Sequence, residues 1–232
     1  MATLDCFGGI KTSAEYAYRR LEQMVVTLEL KPGSMTTEAE LQEQVGVGRT
    51  PVREAIQRLT WDGLLEIRPR SGVRIVPLEG HDWMQIMVVR RNVEVVLART
   101  AAQNCTPEAR RMLEKATDLM NQAASDGSME AFVAADKMFD IAVAQAAGNC
   151  HLMRAAFPLQ THTRRFWMHY YGLTHVESGL KGHLRLAEAI MAKDVPRAVR
   201  EVRTLMSHVQ SEASHVLHQD EVFAGTRLDS SF

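Results

Sequence analysis

The chain has 232 residues, with 27 Lys and Arg against 28 Asp and Glu, 46% apolar residues and 24% charged ones. That length fits one large domain or two smaller ones, and that apolar share is enough for a packed core, which excludes wholesale disorder. Arginines or acids interrupt every apolar run well short of the roughly 18 residues a membrane helix needs, and Met1 to Ile10 lack a basic stretch followed by an apolar one, so neither a transmembrane helix nor a secretory signal is expected. Cys6, Cys105 and Cys150 are far apart and read as reduced thiols of a cytoplasmic protein.

The first helical period runs from Ser13 to Leu30, with Ala14, Ala17, Tyr18, Leu21, Val25 and Leu28 on one face, and breaks at Lys31-Pro32-Gly33. Thr37-x-x-Glu40 is a capping box in front of Leu41 and Val45. Gly46-Val47-Gly48 is a turn. Thr50 as N-cap with Pro51 at the first helical position then predicts a helix whose apolar face is Val52, Ala55, Ile56 and Leu59, stopped at Asp62-Gly63. Leu64–Ile67 and Val73–Val76 are β-rich runs around Pro69-Arg70-Ser71-Gly72. Helix, helix, turn, helix and hairpin together predict a winged helix-turn-helix domain over 1–78, with Leu78–His81 as the linker. From there helices are predicted over 82–104, 107–125, 129–147, 150–171, 175–193 and 195–218, an all-helical bundle over 79–218, and a flexible tail over 219–232. The expected class is mainly α: an N-terminal winged helix-turn-helix plus a C-terminal all-helical effector-binding bundle.

A net charge of −1 hides an uneven distribution. Residues 48–77 hold six arginines (49, 53, 58, 68, 70 and 74) against three acids, whereas residues 11–47 hold four bases against six acids. Phosphates need such positive charge, and arginine also grips guanine in the major groove. The start of the second helix of a helix-turn-helix meets base edges, which singles out Arg49, Thr50 and Arg53; Arg70, Ser71 and Gly72 form a wing tip able to approach a groove. Two-fold readers of this kind bind palindromic double-stranded operator DNA as homodimers.

Glu38-Ala39-Glu40-Leu41, then Val47-Gly48-Arg49-Thr50-Pro51-Val52-Arg53-Glu54-Ala55-Ile56, with Leu59, Gly63-Leu64 and Gly72-Val73, resemble the GntR family of bacterial transcription regulators. The resemblance implies operator contacts by Arg49, Thr50 and Arg53 beside the wing. Gly48 stands where a serine or threonine is usual, and Ala39 where some members carry a further DNA-contacting arginine. The second half is similar to the FCD effector domain of the FadR subfamily through Arg90-x-x-x-Glu94, Asp136-x-x-x-Asp140, Ala147-Gly148-Asn149, and His183 with Glu188-Ala189-Ile190.

That second resemblance implies a small organic acid bound inside the bundle, often beside a divalent metal (Zn, Ni or Mn) held by one Asp and three His. Asp136 and His183 match two of the ligands. Asp140 stands in place of the first histidine and Leu205 in place of the last, with His208 one turn further on. Asp136, Asp140, His183 and His208 are therefore the candidate metal set, and Arg90, Asp136, Asp140 and His183 the candidate effector contacts. Arg90 would either hold a carboxylate bidentately or pair with Glu94 one turn on. Arg164-Arg165, beside His162, Trp167 and His169, could line the pocket mouth, but for most of them a helix surface is expected.

Paired Glu and Glu-x-x-His motifs, a Gly-rich phosphate loop, G-x-S-x-G and H-E-x-x-H are all lacking, so an enzyme is not expected. The expected function is a ligand-responsive transcriptional repressor of metabolic genes that answers to a small organic acid. Asp140 and Leu205 motivate the alternative, a constitutive DNA binder with a decayed effector site.

Overall fold

The computed structural model describes residues 12–170 and 176–228; the expected helix ends at 171 and 175, and the last four residues of the tail, lie outside them. The chain forms two compact units, Met1–Glu79 with Asn149–Gly172, and Gly80–Gly148 with Leu173–Phe232.

In the first unit, α1 (Ser13–Val26) is capped by Thr12, whose hydroxyl accepts from the Glu15 amide. It ends four residues before the expected stop: the chain turns at Leu28, in the left-handed region, so that Leu30 folds back into the core. A two-residue strand β1 (Met35–Thr36) follows, too short to leave a periodic signal. The capping box forms as expected at α2 (Glu38–Val45): the Glu40 amide donates to Thr37 Oγ1 at 3.2 Å and the Thr37 amide to Glu40 Oε2 at 2.9 Å. Helix α3 (Arg49–Trp61) begins one residue before the expected N-cap, with Gly48 as the cap. Pro51 is tolerated at the third helical position because first-turn amides have no partner within the helix to lose. Strands β2 (Leu65–Arg68) and β3 (Gly72–Ile75) pair antiparallel, and β1 adds to β3, giving the order β1-β3-β2. Leu21, Met24, Leu41, Val52, Ile56, Leu59, Leu64, Val73 and Ile75 fill the core between helices and sheet.

The second unit holds α4 (Gly80–Asn104), α5 (Pro107–Ser125), α6 (Met129–Ala147), α8 (Val176–Met191) and α9 (Val195–Leu228). Helix α5 packs on α6 and α8, and α4 packs on α6, α8 and α9. Alanines 135, 142, 144, 146 and 147 of α6 are all buried, which lets its neighbours approach closely. Helix α9 continues to Leu228, ten residues past its expected end. Helix α7 (Cys150–Tyr170), drawn from the middle of the expected bundle, belongs instead to the first unit and packs on α1. Cys105 is a buried free thiol, as expected, whereas Cys150 is disulfide-bonded, contrary to the expectation; Cys6 lies outside the described residues.

Gly72 opens β3 with φ +109°, and a Cβ built there would lie 2.4 Å from the Thr36 carbonyl oxygen. Conformation and space both demand glycine. Gly72→Ala should therefore cost about 1–3 kcal/mol from the backbone alone. The cost would appear as a lower midpoint in chemical denaturation; an unchanged midpoint would mean that β1 moves off β3 freely.

Candidate DNA-binding and effector sites

At the start of α3, Arg49 and Thr50 are the first two helical residues and Arg53 lies one turn on; all three are exposed. The turn carries no acid and no side-chain cap, so its amide N–H groups and the positive end of the helix dipole face outward unopposed. Arg53 makes only a loose, exposed pair with Glu38 at 3.6 Å, which is worth little. At the wing tip Arg70 is exposed with φ +64°, a conformation that costs a non-glycine residue about 1 kcal/mol. The Ser71 amide closes the turn onto the Arg68 carbonyl at 3.0 Å. Gly72 is explained by the Thr36 contact without a ligand.

The six arginines of this region are not equivalent. Arg58 donates to Glu15 at 3.0 Å and lies 3.6 Å over the Tyr18 ring, a cation–π contact that ties α3 to α1. Arg68 and Arg74 share Glu66, at 2.9 and 3.8 Å. Among the described residues, Arg49 and Arg70 have no ion-pair partner.

In the helical unit, Asp136, Phe139 and Asp140 lie on one face of α6. His183, buried on α8, places Nε2 3.1 Å from Asp136 Oδ1 and Nδ1 2.7 Å from the Gly179 carbonyl oxygen, with the Phe139 ring edge-on at 5.0 Å. Burial opposes a charge on this ring. The hydrogen bond and charge of Asp136, the Gly179 carbonyl and the charge of buried Asp140 together outweigh it and raise the pKa of His183. On α4, Arg90 Nε donates to Glu94 Oε1 at 3.1 Å with both side chains buried, so of the two roles open to Arg90 the structure shows the ion pair.

His183 holds its Nδ1 on the Gly179 carbonyl and turns Nε2 to Asp136 Oδ1, with Asp140 buried on the same face of α6 as Asp136. Leu205 is buried against Gly182, where an added Cβ would come within 2.7 Å of Leu205 Cδ1. His208 is half-buried on α9. Among the described residues no three of His, Cys, Asp and Glu gather into a group that could hold a metal ion; of the expected set Asp136, Asp140, His183 and His208, the structure brings His183 to Asp136.

Residues 13–75 match the bacterial regulatory proteins of the gntR family, and residues 85–208 match the FCD domain. The chain belongs to the GntR family and carries an FCD domain. It is similar to an HTH-type transcriptional regulator in the unstable DNA locus of Streptomyces ambofaciens, 27% identical with 92% of this chain and 91% of that one covered. It is also similar to the HTH-type transcriptional repressor RspR of Escherichia coli, 26% identical over 88% of this chain and 89% of that one. Among solved structures, E. coli McbR/YncC shares the fold at a TM-score of 0.77, 20% identical, covering 91% of this chain and 100% of that one. The GntR family and these relatives are DNA-binding transcriptional regulators, not enzymes. No described helix is long and apolar enough to cross a membrane.

Sequence reasoning placed Arg164 and Arg165 on a helix surface; in fact both are buried, with Thr161 and Gln160, in the unit that contains α3. Their charge hid the signal. The apolar positions around them, Ala156 and Phe166, already mark that side of α7 as buried.

The Arg90–Glu94 pair yields a direct test. Removing one member of a buried pair strands the other, so Glu94→Ala should cost about 3–5 kcal/mol. Arg90→Met with Glu94→Leu should recover most of that loss. Equal stability of Glu94→Ala and the parent in urea denaturation would show that Arg90 finds compensation elsewhere.

Proposed function

We propose that this chain is a cytoplasmic, effector-responsive repressor that binds a two-fold symmetric operator duplex as a homodimer and responds to a small organic acid in its FCD domain. The observation that carries the DNA half is the start of α3: uncapped, free of acids, and furnished with Arg49, Thr50 and Arg53. Arg49 and Arg53 reach base edges, Thr50 reaches the backbone, and Arg70 with Ser71 reaches a neighbouring groove from the wing. Arg70 occupying a strained turn position supports a use for its side chain beyond the fold.

For the effector half, the support is a buried histidine with raised pKa beside two carboxylates, on helices α6 and α8 that pack with α5 and α4. An organic acid entering there would take its hydrogen bonds from the His183 ring and the guanidinium of Arg90, exchanging protein carboxylates for its own, with Asp136 and Asp140 as the groups displaced or bridged. Such an effector alters repression only if it binds the DNA-competent and DNA-incompetent arrangements with different affinity. Asp140 and Leu205, standing where the resemblance places histidines, favour a second reading, a constitutive DNA binder whose effector site no longer works.

Two experiments test this. A duplex recovered by selection from a random-sequence pool on the parent protein should lose about 10- to 100-fold in affinity with Arg49→Ala or Arg53→Ala. Retained sequence-specific binding in both variants would remove α3 as the reading helix. Thermal-shift screening of mono- and dicarboxylates should find an acid that raises the melting temperature equally with and without EDTA. A shift abolished by EDTA would restore a metal to the site, and no shift with any acid would favour the constitutive reading.

A further inference from the structure

Helix α7 touches the DNA-reading elements with successive residues of one face. His162 Nε2 lies 2.7 Å from the main-chain oxygen of Asp62, and since a carbonyl can only accept, that nitrogen carries the proton. Asp62 is the C-cap of α3. Its carboxylate accepts the Tyr18 hydroxyl at 2.8 Å, so α1 and α7 hold one residue from two directions. One turn further along α7, Arg165 Nη2 donates to the carbonyl of Val76, just past β3 where the chain leaves the wing. The two anchoring points are themselves joined: the Val76 amide donates to the Leu64 carbonyl at 3.1 Å, and the Leu64 amide closes α3 onto Leu59 at 2.9 Å. Thr161, between these contacts and α1, donates to buried Glu22 at 2.7 Å.

We propose that His162 and Arg165 are positioning residues for DNA recognition, fixing the end of α3 and the root of the wing relative to each other. The proposal rests on α3 as the reading helix. Packing alone does not explain Arg165. It is fully buried, its Nε and Nη1 have no hydrogen-bond partner among the described residues, and no acid pairs with it there. Burial lowers its pKa to about 10. A buried charge so poorly compensated stabilises less than a hydrophobe of the same length would. What it supplies is a directed hydrogen bond to Val76. Gly63, in the left-handed region with φ +76°, turns the chain so that the His162 imidazole lies in van der Waals range of it.

The test separates positioning from stability. Arg165→Met should melt at or above the parent temperature, yet bind the selected duplex about ten-fold more weakly, with affinity for a random duplex unchanged. His162→Leu should show the same loss of specific affinity, and His162→Gln, whose amide can still donate to Asp62, should restore it. Unchanged specific affinity in both Arg165→Met and His162→Leu would overturn the proposal. So would specific and random-duplex affinities falling together in step with the folded fraction, or a His162→Gln protein no better than His162→Leu. Failure of the parent to enrich any duplex would instead refute α3 as a reading helix.

Discussion

A recognition helix reads DNA only as well as its far end is held, and in this chain the far end is Asp62-Gly63. Gly63 in the left-handed region lets α3 stop with two backbone bonds, Gly63 to Thr60 and Leu64 to Leu59, that satisfy carbonyls a helix terminus otherwise leaves open. Asp62 then spends its remaining polar groups outward, its carboxylate on Tyr18 and its carbonyl on His162. Burial, with the Glu22 and Asp62 charges, raises the Tyr18 pKa far above the ordinary range, so the phenol is a donor at every working pH. The orientation of α3 over the sheet, the reach of Arg49 and Arg53, and the seat of α7 all follow from that corner.

Charge is divided between structure and solvent with the same economy. Arginines near the end of α3 and on the sheet are committed within the protein, Arg58 to Glu15 and Tyr18 and Arg68 and Arg74 to Glu66. Those at the start of α3 and at the wing tip face water. Since an arginine not committed to an acid within the protein is free to neutralise a phosphate and release a counterion condensed on the polyanion, it is the second group that matters for one. The FCD domain inverts the pattern. There Arg90 and Glu94 are a buried ion pair, and buried His183 is hydrogen-bonded to half-buried Asp136, each holding a specific orientation within a bundle built largely from alanine and aliphatic side chains.

Much of this was legible in the residues. Thr37 and Glu40, three apart, gave the capping box; the apolar face of Val52, Ala55, Ile56 and Leu59 gave α3; Arg70 to Gly72 between two β-rich runs gave the wing. Each is a local rule, fixed by hydrogen bonds within a turn or by the period of a helix. The errors were local competitions that a single segment cannot decide. Arg49 rather than Pro51 opens α3 because the extended conformation of Gly48 sets the first turn, and α1 stops at Val26 because Leu30 is needed in the core.

From sequence alone came two halves of different character and an arginine-rich helix start and wing tip, because periodicity, caps and charge density depend on neighbours in the chain; the family resemblance came with the motifs in each half. Only the tertiary structure decided that α7 packs with the first unit, that Arg165 is buried on the Val76 carbonyl, and that His183 of α8 meets Asp136 of α6. Those contacts join residues up to 139 positions apart in sequence, as between Glu22 and Thr161, and they are set by which faces of separate helices bury each other. No spacing along the chain encodes that choice, since a helix face rich in arginine and histidine satisfies the rules for a solvated surface until a neighbouring helix supplies the acceptors.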